Sequence, residues 1–448
     1  MHRFSSLLLT GALLAGLAQL PSATLAAGTG LSQADASEIR LSYTKLTAEF
    51  YKPTHPQSIL DGARSELLHV LAKSGVKAAA LPPLRASANS AYDIHAVERE
   101  VQLASRSAGR RISPHLLAYA AIAGMLSSVH DRWTVFLTPK EYAALNQGLN
   151  GGSFSGTGIV IQKSLRTKYI EVSNIVPHGP ADLAGVRQGD TIAAIDGHPT
   201  KTMTITQASL HLRGKAGTKV RLTIVRDGKR LPSPIVVTRA EIAALSVFQK
   251  MLPGKIGYVA LTVFGQDTGS ELTTALDRLA REGARALVLD LRDNGGGYLN
   301  AAVAVSSKFI ATGPIVSVET RAANITTIEA DDTAIAPIPL AVLVNGHTAS
   351  AAEITSGAIA DSGVGTIVGT KTFGKGVVQT IFPMPDGSAV KITTARYLTP
   401  DNRNINHIGI RPAIVIKENK HPRYGDPNHD VQLARAIAFL NDELAHMR

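Results

Sequence analysis

Ser350 lies in the run Val344-Asn345-Gly346-His347-Thr348-Ala349-Ser350-Ala351-Ala352-Glu353-Ile354, where a buried-strand pattern stops, an Asn-Gly turn follows and a small-residue helix begins. A hydroxyl placed there faces unpaired backbone amides and the positive end of a helix, which favour the negative charge of a tetrahedral oxyanion. Serine at a helix start is also an ordinary cap, so a second group is needed before chemistry is implied. Lys375 is the candidate, in Gly369-Thr370-Lys371-Thr372-Phe373-Gly374-Lys375-Gly376-Val377-Val378-Gln379. Its flanking glycines allow close backbone packing, and Phe373, Val377 and Val378 are available to exclude water from the amine. A lysine base working near neutrality needs a pKa of about 7 to 8 instead of ~10.4, roughly 4 kcal/mol of environmental bias. A surface lysine does not receive that bias, so this chemistry predicts an enclosed Lys375.

Other segments support or compete with this pair. Leu287-Val288-Leu289-Asp290-Leu291-Arg292-Asp293-Asn294-Gly295-Gly296-Gly297 puts three glycines directly after a buried strand. Backbone amides are accessible there, and the C-terminal edge of a parallel sheet is where α/β proteins bind ligands. Gly369 to Lys375 also fits G-x-x-x-x-G-K, but Gly376 lacks the hydroxyl that would hold magnesium, and Val377 to Phe382 reads as a strand. Nucleotide binding is therefore disfavoured. None of the fourteen histidines falls in H-E-x-x-H, and Ser350 lacks G-x-S-x-G surroundings. His347 is read as a structural or solvent-facing residue, and Glu353 as a helix-start or packing partner.

The elements that must position these groups follow from the wider pattern. The chain has 448 residues, 44% hydrophobic and 18% charged, which suits several globular domains and argues against wholesale disorder. With no cysteine, thiol catalysis, disulfides and thiolate metal sites are excluded. The net charge of +11 is spread without a dense basic run, so nucleic acid is not expected, and membrane association is at most peripheral. His2 and Arg3 precede an apolar stretch from Leu7 to Leu20, with small residues at Thr24, Ala26 and Ala27. This reads as a signal peptide over residues 1–26, cleaved after about Ala26, with a retained membrane anchor as the alternative. Export is expected, to the periplasm, with secretion as the alternative.

Residues 27–150 have apolar spacing near three or four and read as a helical N-terminal domain, interrupted by a loop from Leu81 to Ser90. Residues 151–242 read as a β-rich domain with one helix near Ile205 to Leu212. Residues 243–448 alternate strands (Ile256 to Val263, Ala286 to Leu291, Leu340 to Val344) with helices, which predicts parallel crossovers and a terminal helix over Asp430 to Leu444. Arg321 to Pro339 reads as a long loop.

Together these segments resemble the carboxyl-terminal processing peptidases, or tail-specific proteases. The match runs from Asp290 to Gly297, through T-A-S-A-A-E-I at Ser350 and T-F-G-K-G-V-V-Q at Thr372 to Gln379, into Lys391 to Pro400. The resemblance implies a multidomain α/β protein, with a helical N-terminal domain, a PDZ domain and a crotonase-like α/β catalytic core. By it Ser350 is the nucleophile, Lys375 the general base and Gln379 the residue that orients the lysine, while the amides of Ala351 and Gly296 form the oxyanion hole. No metal or cofactor is implied. The implied PDZ loop, Gly156-Thr157-Gly158-Ile159, binds the C-terminal carboxylate of a protein substrate while its tail adds a strand. Gating of activity by that domain and a lipoprotein adapter as partner are further expectations. A catalytically silent PDZ adapter is the competing function. Thr157, Ala352 and Asn406-His407 depart from the family's usual residues.

Overall fold

The computed structural model describes residues 30–76, 81–150, 153–164, 167–176, 179–243, 246–419 and 422–447. The leader expected over residues 1–26 lies outside the described residues, as does Gly151-Gly152. Among the described residues no helix is long and apolar enough to cross a membrane.

Four helices form the N-terminal region: α1 (Gln33–Glu49), α2 (Pro56–Lys73), α3 (Ser90–Ala108) and α4 (Pro114–Ser127). Ser32, Asn89 and Ser113 accept hydrogen bonds from first-turn amides and so mark three of the starts. Helices α2 and α4 cross with their backbones touching, because a Cβ at Gly62 or Gly124 would lie 2.3 Å from the other's carbonyl oxygen. The buried residues of all four helices, among them Tyr43, Leu67, Val97 and Leu117, share one core with Met384, Val390 and Ile392 from the last third of the chain. The helical region is thus packed onto the last third of the chain.

Strand β1 (Val135–Leu137) and helix α5 (Pro139–Leu149) lead into the β-rich domain. Its elements are β2 (Ser153–Gly156), β3 (Ile159–Lys163), β4 (Ile170–Ile175), α6 (Pro180–Leu183), β5 (Thr191–Ile195), β6 (His198–Pro199), α7 (Ile205–Leu212), β7 (Lys219–Arg226), β8 (Lys229–Arg230), β9 (Ile235–Thr238) and β10 (Ala240–Ala243). The main sheet runs β3-β4-β5-β7-β8, so β3 is an edge strand. Chain entry and exit pair as the antiparallel ribbon β2–β10.

The remaining chain forms β11 (Val247–Leu252), β12 (Ile256–Leu261), α8 (Thr268–Arg281), β13 (Ala286–Asp290), α9 (Leu299–Ser307), β14 (Pro314–Thr320), β15 (Ile325–Glu329), β16 (Leu340–Val344), α10 (Ala351–Asp361), β17 (Thr366–Gly369), β18 (Val377–Pro383), β19 (Ala389–Leu398), β20 (Ile414–Val415) and α11 (Val431–His446). A six-stranded sheet, β11-β12-β13-β16-β17-β20, is parallel except at β11. Helices α8, α9 and α10 cover one face and α11 the other, so the central strands are buried on both sides and read as continuous apolar runs. A second sheet, β1-β19-β14-β15 with β18 on β19, is antiparallel.

One expectation is corrected here. Arg321 to Pro339 is not a continuous loop, because Ile325–Glu329 pairs antiparallel with β14 as an edge strand. The β-branched Ile-Thr-Thr-Ile favours extended backbone, but Ile325, Thr326 and Thr327 are exposed, so no buried alternation marks the strand in the sequence.

Candidate active site

Strands β13 and β16 are parallel neighbours, so the segments after them emerge at the same sheet edge. The glycine run follows β13, and Ser350 follows β16 as the residue before α10. Ser350 is fully buried, with φ 61° and ψ −116°. A non-glycine residue in that region is strained and persists only where its surroundings dictate it. Its Oγ has no hydrogen-bond partner among the described residues.

Glu353 imposes the conformation. Its Oε2 accepts from the amides of Ser350 and Lys375, each at 2.8 Å, and its Oε1 accepts from the Gly374 amide at 2.7 Å and Thr372 Oγ1 at 2.5 Å. One carboxylate on the first turn of α10 therefore joins the Ser350 backbone to the loop carrying Lys375. Burial pushes the Glu353 carboxyl up, and its four donors pull it back toward the ionised form. Tyr397, from β19, adds a second tie: its hydroxyl donates to the Lys375 carbonyl at 2.5 Å, with the Ser350 carbonyl 3.3 Å away. The loop is further held by Asn406 Oδ1, which accepts from the Gly376 amide, and by the His407 amide, which donates to the Gly374 carbonyl.

Lys375 is 2% exposed, and its Nζ has no hydrogen-bond partner among the described residues. The amine sits 3.8 Å from the centre of the Trp133 ring. Burial, followed by the charge of Lys391, holds it well below the ordinary lysine value, while Asp131 pulls the other way. The ring attracts the ammonium and favours the charged form, but burial is the larger influence and the neutral amine is favoured. Of the groups expected to exclude water, Val377 and Val378 are buried, but Phe373 is 41% exposed and packs edge-on to Trp133.

Gln379 is buried on β18; its Nε2 donates to Thr393 Oγ1 at 3.3 Å, and its Oε1 is unpaired among the described residues. Thr393 donates to Asp131 Oδ2, which also accepts from Thr134. Gln379 does not hydrogen-bond Lys375 in this conformation, nor do Ser350 Oγ and Lys375 Nζ bond each other. The Ala351 amide, at the start of α10, donates to no described residue. Gly296 packs against it: a Cβ there would lie 2.9 Å from the Ala351 nitrogen and from Ser350 Cβ. The Gly296 amide itself donates to Asn294 Oδ1 at 2.8 Å. His347 is exposed and pairs with Asp293 at 2.9 Å.

The structure thus brings Ser350, Ala351, Lys375 and Gly296 to one place, with Gln379 on the strand that follows the Lys375 loop. Gly156, Thr157, Gly158 and Ile159 lie apart from them, in the β-rich domain. Thr157, Gly158 and Ile159 line a small cavity with Ile161, Ser209, Leu212 and Arg213, between edge strand β3 and helix α7. Sequence reasoning missed Asp131, Trp133, the full part played by Glu353, and Lys391. Trp133 is the chain's sole tryptophan, flanked by Arg132, and that rarity was the available signal. No described residues near Ser350 form a metal-ligand cluster; the one such group found is Asp35, Glu38 and His115, on the helical region.

Comparison with known proteins agrees with this architecture. Residues 255–416 match the model of peptidase family S41, and residues 171–226 match a PDZ domain. The carboxyl-terminal-processing protease of Picosynechococcus sp. is 36% identical over 333 residues, covering 73% of this chain and 80% of that protein. The carboxy-terminal processing protease CtpA of Bacillus subtilis is 34% identical over 333 residues, covering 72% and 71%. A solved photosystem II D1 C-terminal processing protease superposes with a TM-score of 0.50 at 29% identity, covering 86% of this chain and 94% of that one. On this identity and coverage, the chain belongs to the carboxyl-terminal processing proteases of peptidase family S41.

Proposed function

We propose that this chain is an exported serine endopeptidase that cleaves proteins near their C-termini, with Ser350 as nucleophile and Lys375 as general base. One observation carries the reading. A buried lysine, its charge disfavoured and its amine without an acceptor among the described residues, is tied through Glu353 to a strained serine at a helix N-terminus.

In the reaction, neutral Lys375 takes the Ser350 proton as Oγ attacks the scissile carbonyl. The Ala351 amide, with an amide of the Gly295-Gly296-Gly297 run, stabilises the oxyanion. Lysine then protonates the departing amine, leaving an acyl-serine. Water, deprotonated by the same lysine, releases the new C-terminus and regenerates the hydroxyl. Gln379 steadies the amine once it turns from Trp133 toward Oγ. Substrate tails seat along β3 against α7, with their carboxylate on the Gly156 to Ile159 loop, and this occupancy gates the dyad.

Ser350→Ala and Lys375→Ala are each expected to abolish cleavage of a protein bearing an unstructured tail, leaving folding intact; full activity in either variant refutes the assignment. The apolar leader from Leu7 to Leu20 supports export, to the periplasm or beyond it, and N-terminal sequencing of the mature chain tests cleavage after about Ala26. A lipoprotein adapter is the further partner proposed, to be sought by co-purification from membranes.

A further inference from the structure

Away from the catalytic residues, three carboxylates and an imidazole meet where the helical region joins the β18–β19 hairpin. Asp35 and Glu38 are buried on one face of α1, and His115 stands in the first turn of α4. Asp386 is in the hairpin's turn. His115 Nδ1 lies 2.6 Å from Asp35 Oδ1, and its Nε2 is 3.9 Å from Asp386 Oδ2. One ligand atom from each of Asp35, Glu38 and His115 lies within 4.8 Å of the others. Tyr119 donates to Asp386, and Ser32 Oγ donates to Asp35 Oδ2 at 2.6 Å, so the outer partners of two carboxylates are already in place.

Charge is left unbalanced. Among the described residues no lysine or arginine pairs with Asp35, Glu38 or Asp386, and His115 is their only basic partner. Glu38 is 1% exposed, and its Oε2 has no hydrogen-bond partner among the described residues. A buried carboxylate oxygen without a donor is costly unless something positive meets it. We propose that Asp35, Glu38 and His115, with Asp386 beside them, form a site for one divalent transition cation of the zinc class. Imidazole mixed with carboxylates suits such an ion, whereas calcium prefers six to eight oxygens. The ion would pin α1 to α4 where both meet the hairpin whose strands carry Gln379, Lys391 and Thr393. Its role is therefore mechanical, apart from the chemistry at Ser350.

The test is calorimetric titration of the tag-free, chelator-stripped chain with zinc chloride, alongside thermal melts. One equivalent should bind saturably and raise the melting temperature. Glu38→Gln keeps the side chain's size while removing the charge; it should bind zinc at least ~10-fold more weakly, the loss that even an outer partner of a metal ligand can cause. Its melting temperature should rise less than that of the wild type at the same zinc concentration. Absence of saturable zinc binding, wild-type binding by Glu38→Gln, or binding of calcium in place of zinc overturns the proposal.

Discussion

Glu353→Gln removes one charge and replaces one oxygen with an amide nitrogen, at a position where both oxygens already accept two hydrogen bonds. Whichever way the new amide turns, its NH2 confronts two donors: the Ser350 and Lys375 amides, or the Gly374 amide and the Thr372 hydroxyl. Two charge-assisted hydrogen bonds are lost, at about 1.5–3 kcal/mol each, so the gross cost is roughly 3–6 kcal/mol. Relief from burying a carboxylate offsets part of it, leaving a net loss on the order of 3 kcal/mol. Much of that loss falls on the strained Ser350 backbone, which would relax toward ordinary helix-start geometry and carry the hydroxyl away from the oxyanion donors. Urea unfolding at pH 7 should show the stability loss, and kcat should fall by at least ~100-fold, the effect of losing one oxyanion donor, with KM changing far less. Wild-type stability and kcat in Glu353→Gln would refute the idea that this carboxylate assembles the site.

Further outcomes follow from the buried titratable groups. Lys375→Met should abolish turnover yet raise stability at neutral pH. The wild-type lysine is protonated when unfolded and disfavours its charge when folded, so the variant's advantage should shrink as pH rises toward ~10.4, checked by urea melts across that range. The acid limb of kcat/KM reports loss of the neutral amine as pH falls; Trp133→Ala admits water, raises the amine's pKa and should move that limb to higher pH, read from the pH–rate profile. Burial raises the Glu100 carboxyl from 4.5 to about 7, so this group costs stability progressively as pH rises from 4.5 to 7, and by a constant amount above it. Glu100→Gln should therefore stabilise the protein at pH 8 by on the order of 2 kcal/mol and make no difference at pH 4, measured by denaturant titration.

The sequence exposes what is local and hides what is brought together by folding. Leu340–Val344 reads directly as a buried strand because both its faces are covered, and Ile205–Leu212 is framed by the Thr204 and Gln207 capping box. The glycine run and the Ser350 turn are legible because each chemical requirement falls within a few residues. The enclosure of Lys375 is predicted, but its cause is not: Phe373 is close in sequence and largely turned outward, while Trp133 comes from 242 residues earlier and supplies the wall. Glu353 reads as a helix-start residue, and it is one; that its carboxylate also reaches the Lys375 loop depends on how that loop folds over α10. Ile325–Glu329 stays hidden because an exposed edge strand leaves no apolar period.

If neutral Lys375 activates Ser350, the hydroxyl's reactivity must follow the titration of the amine. The most direct measurement is the pH dependence of Ser350 labelling by a fluorophosphonate, followed by intact and peptide mass in the presence of a tail peptide. The wild-type chain should take up one phosphonyl group, on Ser350, faster as pH rises through the lysine's lowered titration, and Lys375→Met should label negligibly. Equal labelling of Lys375→Met and wild type, or modification at another residue, would show that Lys375 is not the base for Ser350.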